Sequence, residues 1–272
     1  LLRLSALGDV THVVPLVRTL QRHWPQARLH WVIDKGGFKL LEGLEGVTFH
    51  TYDKKTGLAG MRALRAELPA EGFDALLQMQ VALRANLLSA FIRARRRIGY
   101  DRSRSKDLHG LVINERIPDR PGIHVLDAIG SFCEPLGLKQ TGVTWDLPVP
   151  ADAHVWARAQ WPTDAMRTLV ISPCSSHERR NWYADRYAAV ADHAAAQGWR
   201  IVLCGGRSDL ERRTADAIIG AMRAPALDLV GKDTLKQLPA LLARADLVMT
   251  PDSGPLHIAN AMGTAVLGLH SP

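Results

Sequence analysis

Apolar and polar positions follow two rhythms that alternate along the chain. Short runs rich in branched aliphatic residues give way to longer runs with helical spacing. The short runs predict strands at residues 1–4, 28–34, 47–52, 73–79 and 97–100. The longer runs predict helices at 10–22, 39–44, 58–68, 83–93 and 123–136, with 5–9 as a loop. The rhythm lapses over 139–164, a stretch rich in Pro and Trp that reads as a linker. It then resumes with strands at 168–172, 200–204, 227–230, 245–250 and 265–269. Helices at 183–197, 208–222 and 235–243, and a further helical run after Asp252, lie between them. Such alternation predicts an α/β fold of parallel sheets in two domains, 1–138 and 165–272. Ligands of parallel sheets sit beyond the carboxyl ends of the strands. The segments with notable chemistry all fall at such ends, so a shared site in a cleft between domains is expected.

Composition narrows the classes. A chain of 272 residues with 47% hydrophobic content has room for two cored domains. Every apolar run is interrupted by charge, so no membrane span is expected, and no secretory signal is visible. The chain begins inside an apolar strand without Met and stops just after another, so both ends read as trimmed and the C-terminal end as missing. Cys133, Cys174 and Cys204 are scattered and odd in number, which predicts a reducing compartment and no metal knuckle. Lys and Arg outnumber Asp and Glu by 34 to 27, a net +7. That balance suits a polyanionic partner: nucleic acid, an anionic membrane or a phosphorylated substrate.

Asp252-Ser-Gly-Pro-Leu-His257 is the most informative segment. A buried strand runs into a helix there. An Asp-Ser-Gly turn at that junction aims backbone N–H groups and the positive helix end at one point, an anion site. The plainer alternative is a helix capped by Asp252 or Ser253. Ser5-Ala-Leu-Gly-Asp9 is a small-residue turn after the first strand, without a dinucleotide fingerprint. Asp9 is either an N-cap or a general base, and His12 shares its helix face, to orient a substrate or to pack. Ser172 to Trp182 is a polar loop with hydroxyls at Ser175 and Ser176 and a pair of arginines, Arg179 and Arg180. Arginine suits bidentate phosphate contacts, so function is favoured here over a solvated loop. Cys174 lacks a readable base and reads as structural. Cys204-Gly-Gly-Arg-Ser-Asp-Leu-Glu211 reads equally as a nucleoside site or as an ordinary turn with Ser208 as cap. From Arg93 to Lys106 there are seven basic residues and one acid. This run is either a solvated face or a holder of acceptor anions through Arg102, Arg104 and Lys106. Aromatics are sparse in it, which disfavours nucleic acid.

Three of these motifs, in this order, resemble bacterial lipopolysaccharide heptosyltransferases of glycosyltransferase family nine. They are Leu4 to Pro15, Ser175 to Trp182, and Asp252-Ser-Gly-Pro-Leu-His257 with Ala259 and Ala261. The resemblance spans nearly the whole chain and implies a GT-B fold, two Rossmann-like domains facing across a cleft. It implies inverting transfer of L-glycero-D-manno-heptose from ADP-heptose to the Kdo-lipid A or inner-core region of lipopolysaccharide. The N-terminal domain would take the acceptor and the C-terminal one the nucleotide sugar. The position matching Asp9 is the general base. Ser175, Ser176, Arg180, Asp252, Ser253, Gly254 and His257 would bind the donor phosphates, and Glu211 the ribose. No cofactor or metal is called for, and the setting would be cytoplasmic, against the inner leaflet of the inner membrane. Two positions depart from the family: Arg180 stands where Lys is usual, and the last strand lacks the usual Gly-Pro-Thr. The wording of the Ser175 loop is closest to the subgroup that adds the first heptose to Kdo. Other nucleotide sugars, or a non-catalytic anion-binding module, are the alternatives.

Overall fold

Leu2 is fully buried and bridges two parallel neighbours, Val32 and Gln78. In the computed structural model, which describes residues 1–161 and 165–270, its N–H donates to the Leu77 carbonyl at 2.9 Å and its carbonyl accepts from Met79 N–H at 3.0 Å. On one side lies β1 (Leu29–Ile33), paired in parallel with β2 (Val47–Thr51). On the other lies β3 (Phe73–Gln78), followed by β4 (Ala94–Gly99) and β5 (Glu115–Arg116), again parallel. Residues 1–4 are therefore the centre of one sheet ordered β2, β1, 1–4, β3, β4, β5. Winding reverses between residues 1–4 and β3, the place where doubly wound sheets bind ligands.

The chain divides into two compact units, Leu1–Pro148 and Val149–Pro272. The second has β6 (Thr168–Ile171), β7 (Arg200–Leu203), β8 (Leu227–Asp228), β9 (Leu247–Pro251) and β10 (Val266–Leu269). They are all parallel in the order β8, β7, β6, β9, β10, so the winding reverses between β6 and β9. Leu169, Ile171, Ile201 and Leu203 pack against Tyr187, Ala188 and Ala191 of the helix Ala184–Ala196 and Ala215 and Ile218 of the helix Asp209–Ala221. Both strand orders are the Rossmann arrangement.

Two expectations are corrected. A single helix over 10–22 is expected, but there are two, Leu7–Thr11 and Val14–His23. Pro15 has no N–H to give the Thr11 carbonyl, and it disfavours helical geometry just before it, so the chain re-enters the helix with Pro15 in the first turn. The expected linker over 139–164 carries the helix Ala151–Gln160, whose Ala153 and Ala157, four apart, are buried with Ala240. A stripe whose fully buried positions are alanines, with Trp156 only partly covered beside them, is faint in a sequence. Residues 162–164 of that stretch, and Ser271 and Pro272, lie outside the described residues.

All three cysteines are buried thiols. Burial pushes Cys133 up to about 11 and raises Cys174 and Cys204 as well.

A buried polar network holds the loop after β4. His109 accepts from Tyr100 N–H through Nε2 at 3.0 Å and meets Asn86 Oδ1 through Nδ1 at 2.9 Å. Asn86 also accepts from Gln78 Nε2 at 3.0 Å and donates to the carbonyls of Val81 and Asp107 at 3.0 and 2.8 Å. With Nε2 accepting, His109 is neutral. Burial, with the charge of Arg116 added, lowers its pKa to about 4. An unfolded chain binds this proton near the usual histidine value, so between there and pH 4 it holds more protons than the folded one. Stability is thus full above about 6.5, the usual histidine value, and falls as pH drops toward 4. His30 and His50, 2.9 Å apart and also lowered by burial, act in the same direction. Urea titrations across this range should show the decline, on the order of 3 kcal/mol for His109. His109→Gln should be less stable at neutral pH and flatter in slope; an unchanged slope would remove His109 from the account.

Candidate active site

Asp9 sits in the first turn of the helix Leu7–Thr11, beside the reversal point of the first unit. Its Oδ2 receives both contacts: Ala6 N–H at 2.9 Å and Arg3 Nη2 at 2.6 Å. Oδ1 has no partner among the described residues, and the side chain is about a third exposed. Ala6, not Asp9, is the N-cap, and Asp9 reaches back to it from the third helical position. One oxygen ties down the helix start, and the other is open. Arg3 is the partner that sequence reasoning missed. It also donates to the Met79 carbonyl at 2.5 Å, from within an apolar strand. A lone cation among leucines was the available signal. Gln80 was missed too; its Oε1 accepts from Leu4 N–H at 2.8 Å, closing the turn from β3. His12 is buried, its ring edge-on to His124 at 5.9 Å.

The basic run does not form one patch. Arg93 donates to the Ala70 carbonyl at 3.1 Å, Arg96 pairs with Glu115 at 2.8 and 2.6 Å, and Arg97 donates to the carbonyls of Ser89, Ile92 and Val112. Arg104 pairs with Asp101, whose side chain is 1% exposed. Burial alone would raise the Asp101 carboxyl, but hydrogen bonds from Ser103 and Arg104 hold it below its usual range. Of the three expected acceptor contacts, Arg102 and Lys106 are exposed, while Arg104 is engaged inside the loop.

In the second unit, the loop after β6 and the turn after β9 flank the reversal point. Ser175 is buried and shapes the loop: its N–H donates to Asn181 Oδ1 at 2.7 Å and its hydroxyl to the His177 carbonyl at 2.9 Å. Ser176 and Arg180 are exposed, and the Arg180 side chain has no partner among the described residues. At the turn, Ser253 occupies the N-cap position but does not cap. Its hydroxyl meets Thr250 Oγ1 at 3.0 Å instead. The helix Gly254–Ala261 therefore starts without a side-chain cap, which corrects the capped alternative; Pro255 has no N–H and Leu256 N–H donates to the Ser253 carbonyl at 3.2 Å, so among the described residues the Gly254 amide is the one left open. Asp252 lies 3.7 Å from His257.

Glu211 accepts from Gly206 N–H and the Ser208 hydroxyl, each at 2.6 Å, in a capping box that opens the helix Asp209–Ala221. Nearby Asp233, after β8, was not foreseen. Burial pushes its carboxyl up to about 6, and the charge of Glu211 adds to the effect. Among the described residues, no group of three or more His, Cys, Asp or Glu is placed to hold a metal ion. No helix among them is long and apolar enough to cross a membrane.

Each unit is doubly wound with polar turns at its reversal point, the Rossmann-like half from which GT-B folds are built. The glycosyltransferase family 9 (heptosyltransferase) model matches residues 61–272. The chain is 38% identical over 271 residues to the lipopolysaccharide core heptosyltransferase OpsX of Haemophilus influenzae, covering 100% of this chain and 78% of the relative. Two solved structures share the fold. A glycosyl transferase of family 9 from Veillonella parvula superposes with a TM-score of 0.87 at 23% identity, covering 100% of this chain and 80% of that one. The E. coli heptosyltransferase WaaC with ADP-2-deoxy-2-fluoro heptose gives 0.76 at 20% identity, covering 98% and 86%. The chain belongs to glycosyltransferase family 9 and is a glycosyltransferase.

The loop geometry separates the cations. Arg104→Gln should lower unfolding free energy by about 2 kcal/mol, because Asp101 is left buried without its cation. Arg102→Gln and Lys106→Gln should stay within about 0.5 kcal/mol of the parent. Thermal denaturation of the three variants measures the difference.

Proposed function

We propose that this enzyme builds the lipopolysaccharide core, moving L-glycero-D-manno-heptose from ADP-heptose to the Kdo or inner-core region with inversion. The relative named for lipopolysaccharide core heptosyl transfer, 38% identical across the chain, supports the reaction class. The half-tethered carboxylate of Asp9 carries the mechanism. Arg3 and Ala6 fix Oδ2, and Oδ1 takes the proton of the acceptor hydroxyl. That oxygen attacks the anomeric carbon from the face opposite ADP. The carbon–oxygen bond to the β-phosphate breaks, its electrons leave with ADP, and the sugar configuration inverts. Charge grows on the departing diphosphate, where preset donors lower the barrier most. Arg180, with no partner among the described residues, supplies a cation, and Ser253 and the uncapped amide of Gly254 supply further donors, with Ser175, Ser176, Asp252 and His257 lining the phosphates. An anionic leaving group so neutralised needs no general acid. Glu211 is assigned to the ribose. Arg102 and Lys106 hold negative groups of an acceptor anchored in the inner leaflet, on a cytoplasmic enzyme.

Incubation with ADP-heptose and Kdo-lipid A, followed by mass spectrometry, should show one heptose added. Asp9→Asn keeps the size and much of the capping but removes the proton acceptor, so turnover should fall roughly 10²–10⁴-fold with ADP affinity unchanged. Near-normal turnover in that variant would sink the assignment. Arg180→Ala should weaken ADP binding in calorimetry by roughly tenfold or more, and Arg180→Lys should recover much of it if charge is what matters. Unchanged affinity in the alanine variant would take Arg180 out of the site.

A further inference from the structure

Four exposed leucines of the first unit gather on one face around the Asn86–His109 network. Leu83 and Leu87 lie one turn apart on the outer side of the helix Leu83–Ala90 and are 47% and 51% exposed. Leu108 and Leu111 belong to the loop and short helix that follow β4, and are 63% and 79% exposed. Helix and loop are joined where Asp107 Oδ2 accepts from Leu83 N–H at 3.3 Å, and within the loop Leu111 N–H donates to the Leu108 carbonyl at 2.9 Å. Asn86, on the inner side of the same helix, fastens the loop from beneath through Asp107 and His109. The loop presents Leu108 at some cost. Asp107 and Leu108 both take left-handed backbone angles, φ 53° and 64°, which leucine rarely adopts. That backbone is held by the surrounding Asn86 and His109 hydrogen bonds, and it leaves Leu108 exposed.

Beside these leucines in the chain, cations outnumber acids. Arg84 follows Leu83, and Arg102 and Lys106 precede Leu108 in the same loop; all three are exposed. Asp107 is the acid of the group, and its carboxylate is engaged by the Leu83 amide. Exposed leucines with interleaved cations match an anionic bilayer, where apolar side chains enter the headgroup boundary and cations remain among the phosphates. The face follows the carboxyl ends of β3 and β4, the end of the sheet at which Asp9 stands. We infer that Leu83, Leu87, Leu108 and Leu111, with Arg84, Arg102 and Lys106, dock the first unit on an anionic phospholipid surface. The inference rests on the reading that the acceptor is membrane-anchored, and it names the face that meets the membrane.

Cosedimentation with vesicles of phosphatidylglycerol and phosphatidylethanolamine, free of acceptor, tests it. The chain should bind these and not phosphatidylcholine alone, and added salt should weaken the binding. The double variants Leu108→Ser/Leu111→Ser and Leu83→Ser/Leu87→Ser should each lose roughly tenfold in vesicle partitioning. Both should keep the parent melting temperature and normal heptose transfer to a deacylated, water-soluble acceptor. Parent-like vesicle binding in both variants overturns the inference. So does a dimer of the parent chain in analytical ultracentrifugation that the leucine variants abolish, because the face would then belong to a second copy. A parent chain that transfers heptose but ignores vesicles refutes the docking face and leaves the proposed reaction standing. Vesicle binding with the leucine dependence but without heptose transfer does the reverse.

Discussion

Residues 1–4 bear more of this structure than their number implies. They close the centre of the first sheet, donating and accepting on both sides, so β1 and β3 share a sheet only through them. The same residues carry Arg3, whose guanidinium leaves the strand and grips Asp9 and the Met79 carbonyl together. Sheet closure and the placing of the carboxylate are thus one event. Wherever the central strand ends, the carboxylate is delivered, and under the proposed mechanism an arginine already held by the Met79 carbonyl needs no ordering at the moment of reaction.

The second unit uses the same geometry for a different task. At its reversal point the protein leaves a helix start uncapped, although Ser253 occupies the capping position. The hydrogen bond between Ser253 and Thr250 explains how the hydroxyl is kept from capping the helix. A side chain that capped the helix would gain about 1 kcal/mol of stability and compete with an incoming phosphate. Stability is forgone where the proposed donor site would use the Gly254 N–H.

The strand and helix alternation was legible, because buried parallel strands read as short aliphatic runs and their helices as amphipathic ones. Residues 10–22 were not, because the apolar spacing continues through Pro15 while the backbone does not. The helix Ala151–Gln160 was hidden because alanine marks a buried stripe so weakly. Asp9, the Ser175 loop and the Asp252 turn could be named from residue type at strand ends. What each side chain is bonded to could not. Arg102 and Arg104 are two apart in a basic run, yet one is exposed and the other neutralises a buried aspartate; only the fold of the loop separates them. Arg3, Gln80 and Asp233 acquire their meaning from partners distant in sequence, and no local pattern announces them.

The burial of Cys133, Cys174 and Cys204 has a practical side. Thiols react with alkylating dyes as thiolates, and all three are both enclosed and shifted upward. The folded chain therefore presents a chemically silent background. A single cysteine placed on an exposed loop would take a maleimide fluorophore far faster than any native thiol. Distances within or between the two units can then be followed by energy transfer without first removing the natural cysteines.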